Sequence, residues 1–251
     1  MNCVKIRRLA MEWVRDIFTI NGYEVEASYT KENITKIFQP LLKHWENLYA
    51  KKKKRILVFI AAPPACGKST LVAFLEKLAK DMGYDNVQGI GMDGFHYPND
   101  YLDFHFVKGG LLRDVKGCPE SFDYAKLKDY IENSKTSDLA WPIYDRTLHN
   151  PKNDAMLVNK DIVLLEGNYL LLDEEPWRDL KQYCDFSVFL YGDEEMLEKR
   201  LIERKAKGTT MEEAIAFYKR SDQKNVQRVL THRLKADCVL YLDAQGVYTK
   251  L

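Results

Sequence analysis

The chain has 251 residues, which suits one α/β domain with insertions or a domain plus an arm, and is ample for a sizeable core. Its 38 basic and 37 acidic residues leave a net charge of +1, and no apolar run approaches ~18 residues, so neither nucleic acid nor a membrane is an expected partner. The five widely spaced cysteines (Cys3, Cys66, Cys118, Cys184, Cys238) form no C-x-x-C pair, and the N-terminus is too charged for a secretory signal, which reads as a reduced cytoplasmic protein and not a disulfide or zinc scaffold.

Residues 18–25 alternate around Asn21-Gly22, a hairpin signal. Thr30 then caps a predicted helix whose apolar positions are Ile34, Ile37, Phe38, Leu41, Leu42, Trp45 and Leu48, with Pro40 inside the pattern as a source of a kink. Residues 1–54 therefore read as a hairpin-plus-helix arm packed on a domain of residues 55–251, and the exposed hairpin is a candidate homodimer surface. The basic run at 51–55 reads as a solvated linker.

Residues 56–62 are apolar and β-branched enough for a buried strand. The turn Pro63-Pro64-Ala65-Cys66 follows, then Gly67-Lys68-Ser69-Thr70 opens a helix-like segment. Strand, small-residue loop, Gly-Lys-Ser and helix make the phosphate-binding P-loop arrangement, in which loop amides and the helix start converge on an anion. Lys68 would reach the β- and γ-phosphates and the Ser69 hydroxyl would ligate Mg²⁺. Ala62 stands where the pattern asks for glycine, and many such loops carry glycine in place of Ala65, so tolerance of a positive φ is in question there. At the anion-attracting helix start, Cys66 is expected to have a lowered thiol pKa and to be modifiable, with an inert packing role as the alternative.

Further on, residues 87–92 read as a strand ending at Asp93, and the aromatic, aperiodic stretch 97–122 reads as an ordered functional loop. Asp123 caps a helix to about Ile131, residues 141–144 form a short strand running into Asp145-Arg146, and residues 162–165 form a buried strand ending at Glu166. Residues 186–191 are a strand, Asp193 caps a helix to about Lys205, Thr210 with Glu213 makes a capping box for a helix to about Leu230, and residues 238–242 close the chain as its last strand. Strands alternating with helices predict a parallel sheet covered on both faces.

Ligands of such sheets bind beyond the carboxyl ends of the strands, where the P-loop, Asp93 and Glu166 all fall. Asp93 suits a general base that takes the proton of an attacking hydroxyl, or it is only the first residue of an Asp-Gly turn. Glu166 suits an acid that holds Mg²⁺, or it is a structural strand-end carboxylate. The sequence blocks 92–98 (MDGFHYP), 116–123 (KGCPESFD) and 165–173 (LEGNYLLLD) resemble the phosphoribulokinase, uridine kinase and pantothenate kinase superfamily. Within it the chain is most similar to the bacterial nucleoside/nucleotide kinase family proteins that include fructose-transport-kinase-like members.

The resemblance implies a P-loop NTPase three-layer αβα sandwich with a five-stranded parallel core and a helical lid at about 200–212, with ATP and Mg²⁺ as cofactors. By it, Lys68, Asp93, Glu166 and Arg204 are catalytic, and Ser69 with Glu166 holds the metal. Residues 63–70, Arg200, Arg204 and Asn225 face the nucleotide. Asp93, His96, Tyr97, Arg113, Tyr144, Arg146, His149, Asn168 and Tyr169 face the acceptor. Arg200 and Arg204, four apart, share a helix face and suit phosphate charge, although Glu194, Glu195, Glu198 and Glu203 offer ordinary surface pairing. Asp222 and Asn225 read almost equally as structural helix residues.

The activity expected is transfer of the γ-phosphoryl group of ATP to a hydroxyl of a small metabolite of sugar, nucleoside or pantothenate-like type. The alternative is a nucleotide-binding sensor or scaffold with weak or no kinase activity. A GTPase switch is disfavoured, because Asn159-Lys160-Asp161 puts the acid one residue early for a guanine signature.

Overall fold

The computed structural model describes residues 11–20, 22–108 and 110–251. Its arm begins with an antiparallel pair, β1 (Trp13–Ile20) and β2 (Tyr23–Thr30), in register Ile20↔Tyr23. The two-residue connection is that of the expected hairpin; Gly22 has φ +87°, and Asn21 lies outside the described residues. Thr30 accepts from the Asn33 amide at 3.0 Å and caps α1, which runs over residues 31–52. The effect expected of Pro40 takes the form of a π-turn, Ile34–Phe38: proline has no N–H for the preceding turn, and the Gln39 N–H is given to the Ile34 carbonyl five residues back.

The main sheet follows. It starts with β3 (Ile56–Ala61), which leads through helix α2 (Lys68–Asp81) to β4 (Val87–Gly91). The expected loop 97–122 follows a 3₁₀ turn (Met92–Phe95) and contains α3 (Asn99–Phe104), a small hairpin of β5 (Phe106–Val107) and β6 (Gly110–Leu111), and two further 3₁₀ turns. Capped by Asp123, α4 spans Tyr124–Ser134. The short strand expected at 141–144 is β7 (Leu139–Asp145); it pairs antiparallel with β8 (Asn150–Val158) in a hairpin outside the main sheet. After β9 (Ile162–Gly167) and a 3₁₀ segment, Trp177–Tyr183, come β10 (Phe186–Gly192), α5 (Glu194–Ala206) and α6, residues 211–231. The chain closes with β11 (Cys238–Leu242) and β12 (Tyr248–Lys250).

The six-stranded order is β12-β11-β10-β3-β9-β4, with β12 antiparallel on one edge and the other five parallel. That is the expected five-stranded parallel core with one added edge strand. All six residues of β3 are buried because alternate side chains enter two different cores. Ile56, Val58 and Ile60 pack with α2 and the arm, while Leu57, Phe59 and Ala61 pack on the opposite side with α4 and the 177–183 segment. The arm's Tyr29, Phe38 and Trp45 belong to the first of these cores. Among the described residues, no helix is long and apolar enough to cross a membrane.

Candidate active site

Three neighbouring strands, β3, β9 and β4, release their chains at one end of the sheet, and each delivers a polar group there. From β3 comes the loop 62–67. Its carboxyl end enters α2 at Gly67, whose φ of +83° supplies a left-handed turn that a side chain resists. Ala65 also takes a positive φ, +63°, so the alanine in place of glycine adopts the loop conformation at a cost of roughly 1 kcal/mol. Ala62 is fully buried and is not among the positive-φ residues, so alanine there carries no such strain.

Lys68 and Ser69, the first residues of α2, turn toward β9. The Ser69 hydroxyl donates to Glu166 Oε1 at 2.7 Å, and Lys68 Nζ lies 3.9 Å from Glu166 Oε2. Glu166 is buried, and its Oε2 has no hydrogen-bond partner. Burial pushes its carboxyl above the usual range, and the Asp93 charge adds to this against the pull of Lys68, Ser69 and Arg146. A buried carboxylate oxygen without a hydrogen-bond partner beside the Ser69 hydroxyl offers oxygen ligands that suit a hard divalent cation.

Asp93 sits in the 3₁₀ turn that ends β4. Burial alone would raise its pKa, yet it is held below the usual value by the charges of His96, Lys68, Arg146 and Arg204. His96 itself is pushed down by burial, against the attraction of Asp93, and its Nδ1 bonds the Asp93 backbone carbonyl at 2.9 Å. Asp93 is thus an ionised carboxylate ringed by cations from the P-loop, the turn after β7, and α5. Gly94 permits this arrangement: a Cβ there would lie 2.1 Å from the Pro142 carbonyl oxygen. A cleft of about 190 Å³ opens beside Asp93, Ser69 and Glu166 and runs along the α2 face Val72-Ala73-Glu76 to Thr19 and Ile20 of the arm. No sequence signal pointed to those two arm residues.

The two arginines of α5 part company. Arg200 donates to the Ala65 carbonyl at 3.3 Å and so braces the P-loop. Arg204 feels Arg146, Asp222 and Asp93, and burial lowers its pKa from the usual guanidinium value. Tyr144 lines the Asp93 cleft, with its ring 5.2 Å from His96 and Lys116 Nζ 5.0 Å above its centroid. Asn168 follows β9 with a buried Oδ1 that has no partner.

Several expectations need correction. Cys66 is fully buried, and burial pushes its thiol up to about 12 despite Lys68 and Arg200, the opposite of the activated thiol expected. Tyr169 is a core residue whose hydroxyl donates to the Gly117 carbonyl at 2.5 Å, so it shapes the 116–123 segment from beneath and offers no free group to a ligand. Asn225 is buried 4.0 Å from the Cβ position of Gly117, which puts it with that segment and not at the nucleotide end. His149 is exposed at φ +49°, and its contribution is a backbone carbonyl that accepts from Lys116 Nζ at 2.9 Å. Tyr97 stacks on Tyr101 with centroids 4.1 Å apart, in a satellite cluster with Leu102 and Leu112. Arg113 is paired with Asp103 at 3.3 Å.

The phosphoribulokinase / uridine kinase family model matches residues 57–241. YggC of Escherichia coli (strain K12), described only as uncharacterized, is 42% identical over 233 residues, covering 92% of this chain and 96% of that one. A pantothenate kinase of Enterococcus faecalis is 30% identical over 206 residues, 73% of this chain and 66% of the relative. Among solved structures, a candidate fructose transport system kinase from Silicibacter sp. TM1040 superposes with a TM-score of 0.68 at 32% identity, covering 74% of this chain and 89% of that one. Together with the strand order and the three converging strand ends, these matches identify the fold and the lineage: the chain belongs to the phosphoribulokinase / uridine kinase family of P-loop kinases.

Proposed function

We propose that the protein is an ATP-dependent kinase that transfers the γ-phosphoryl group to a hydroxyl of a small metabolite. The observation that carries this reading is Asp93, held ionised by the charges of Lys68, Arg146 and Arg204, lining one cleft with the hydrogen-bonded Ser69–Glu166 pair. A lone anion cradle needs no such carboxylate. A phosphoryl transfer does, because the acceptor hydroxyl must lose its proton as it attacks.

The P-loop amides and Lys68 hold the nucleotide phosphates. Ser69 and Glu166 would hold Mg²⁺, which when bound neutralises charge on the phosphate oxygens. Asp93 orients the acceptor hydroxyl and receives its proton while the new O–P bond forms and the bond to the ADP oxygen breaks. Arg204, on the helix that precedes the 207–210 connection, offsets the charge gathered on the transferring group, the part proposed for a lid at 200–212. Arg200 keeps Ala65 in the left-handed conformation that this loop needs.

ADP formation from Mg-ATP over a panel of nucleosides, sugars and pantothenate tests the reading. Acceptor-stimulated turnover is expected, and Asp93→Asn should lower kcat by roughly 10²-fold or more with the KM for ATP little changed. ATP binding without stimulation by any acceptor would favour a nucleotide sensor instead.

A further inference from the structure

The cleft beside Asp93 has a second end. From Asp93, Ser69 and Glu166 it follows Val72, Ala73 and Glu76 of α2 to Thr19 and Ile20 at the tip of the arm's hairpin. Ser69, Val72, Ala73 and Glu76 are spaced i, i+3, i+4 and i+7, which puts them on one helix face. Seven residues of helix separate the two ends by about 10 Å. Between them the walls are apolar, with Ile90, Ile143 and Met156 opposite Val72. Among the described residues, the lining holds the carboxylates of Asp93, Glu166 and Glu76 and no lysine or arginine.

The hairpin tip is fixed at this far end by its own sequence. Side chains alternate along β1, and Asp16, Phe18 and Ile20 share its half-buried face. Asp16 pairs with Lys77 of α2 at 3.4 Å, and the Phe18 ring meets Phe74 of α2 edge-on with centroids 6.4 Å apart. Those contacts bring Ile20, the next residue on that face, to the cleft. On the cleft floor, Gly89 of β4 lets α2 come close: a Cβ there would stand 2.4 Å from Val72 Cγ1 and 3.2 Å from Glu76 Oε2. The Gly89 N–H donates to Glu76 Oε2 at 3.1 Å. This bond holds the carboxylate at the cleft and leaves it lone pairs for a second donor. Residues 57–241 carry the family match, so membership alone gives the arm no part in the site.

We infer that the arm's hairpin completes the acceptor site: Ile20 closes its far end against the apolar part of the acceptor, and Glu76 accepts a hydrogen bond from a hydroxyl or N–H group there. The inference rests on the kinase reading for the reacting end at Asp93, and it adds the length and polarity of the acceptor. The molecule that fits is an elongated alcohol with an apolar middle and a hydrogen-bond donor about 10 Å from the reacting hydroxyl. Ile20 and Glu76 are specificity-determining residues for it.

Calorimetry on the full chain with Mg²⁺ and ADP present tests this with three elongated probes: pantothenol, pantetheine and uridine. At least one should bind. Ile20→Trp fills the far end and should weaken that probe roughly 10- to 100-fold, with Ile20→Val close to wild type. Glu76→Leu should weaken it about 10-fold, and Glu76→Gln, which keeps an acceptor oxygen, should restore most of the affinity. Melting temperatures check folding, and Thr19→Tyr, at an exposed position of the same tip, is the second blocking variant should Ile20→Trp melt early. No elongated probe bound at all, or one held as tightly by both tip variants as by wild type, would overturn the inference. So would an equal loss of Mg-ADP affinity in both tip variants, the mark of a merely structural effect. ADP formation from ATP is read separately. A probe that binds, is lost in the tip variants and is never phosphorylated counts against the kinase reading and leaves the arm's part in the cleft standing. A probe phosphorylated as fast by the tip variants as by wild type does the reverse.

Discussion

Cys66 shows how the surroundings of one side chain decide its chemistry. A helix start with Lys68 next door favours a thiolate, but the thiol lies beneath the end of β10, where Gly192 makes room for it: a Cβ at Gly192 would be 3.3 Å from Cys66 Sγ and 2.9 Å from Met196 Cε. Desolvation outweighs the favourable charges, and the group stays a neutral packing residue. Iodoacetamide at pH 8 should therefore leave Cys66 unmodified by peptide mass spectrometry, equally with and without Mg-ATP, while the half-buried Cys184 reacts first among the described cysteines. Nucleotide-protected alkylation of Cys66 would contradict this. The sequence made the charge environment of Cys66 visible and its burial invisible, because burial comes from β10, more than a hundred residues away. Asp93 and Glu166 were legible for the opposite reason: each stands at the carboxyl end of a strand, Glu166 as the next-to-last residue of β9 and Asp93 two residues beyond β4, so strand direction alone fixes where it emerges.

At the scale of elements, local signals held best where the backbone itself needs a partner. Thr30, Asp123 and Asp193 each cap a helix start, and the Thr210–Glu213 capping box is present in both directions. The π-turns at Ile34–Phe38 and Tyr218–Asp222 were hidden, since one inserted residue barely disturbs a 3.6-residue pattern. β8 was also hidden. Its sequence, NPKNDAMLV, is mostly exposed and lacks alternation, so the pairing with β7 leaves no apolar trace. The arm presents the reverse case, a segment whose apolar helix pattern was clear and whose attachment was not. Asn33 is buried and bonds both backbone groups of Tyr248, its Nδ2 donating to the carbonyl at 2.7 Å and its Oδ1 accepting from the amide at 3.0 Å. Trp45 is fully buried in the core that also contains β3. Trp45→Ala is expected to destabilise the whole protein by about 3–5 kcal/mol in urea unfolding, with a single transition. A loss below about 1 kcal/mol, or a separate early transition for the arm, would show that residues 31–52 are peripheral to the fold.

For the molecule as a whole, the proposed donor half of the site was readable because it is one short stretch plus two strand ends. The segments proposed for the acceptor were harder to assemble, because helix 99–104, the 113–116 turn and the β7–β8 turn are brought together only through Lys116 and Asn99 once the sheet has formed. The same distinction governs what holds the layers together. Asp185, just before β10, is nearly buried and binds three elements at once: Lys52 at the end of α1 at 2.5 Å, the Leu57 amide of β3 at 2.8 Å, and Lys135 after α4 at 2.9 Å. Burial by itself would raise its carboxyl, but these donors together hold it below the usual aspartate value. Because the folded-state value lies beneath the unfolded one near 3.9, the stabilisation is complete above about pH 5 and is lost as the pH falls through the folded value. Asp185→Asn keeps the size of the side chain and removes the charge, and it should cost about 2 kcal/mol at pH 7 in urea unfolding. The gap between wild type and variant should stay constant from pH 8 to about 5 and close only below about pH 4. A gap that persists undiminished at pH 3 would mean that the carboxylate charge is not what ties the arm, the sheet and α4 to one another.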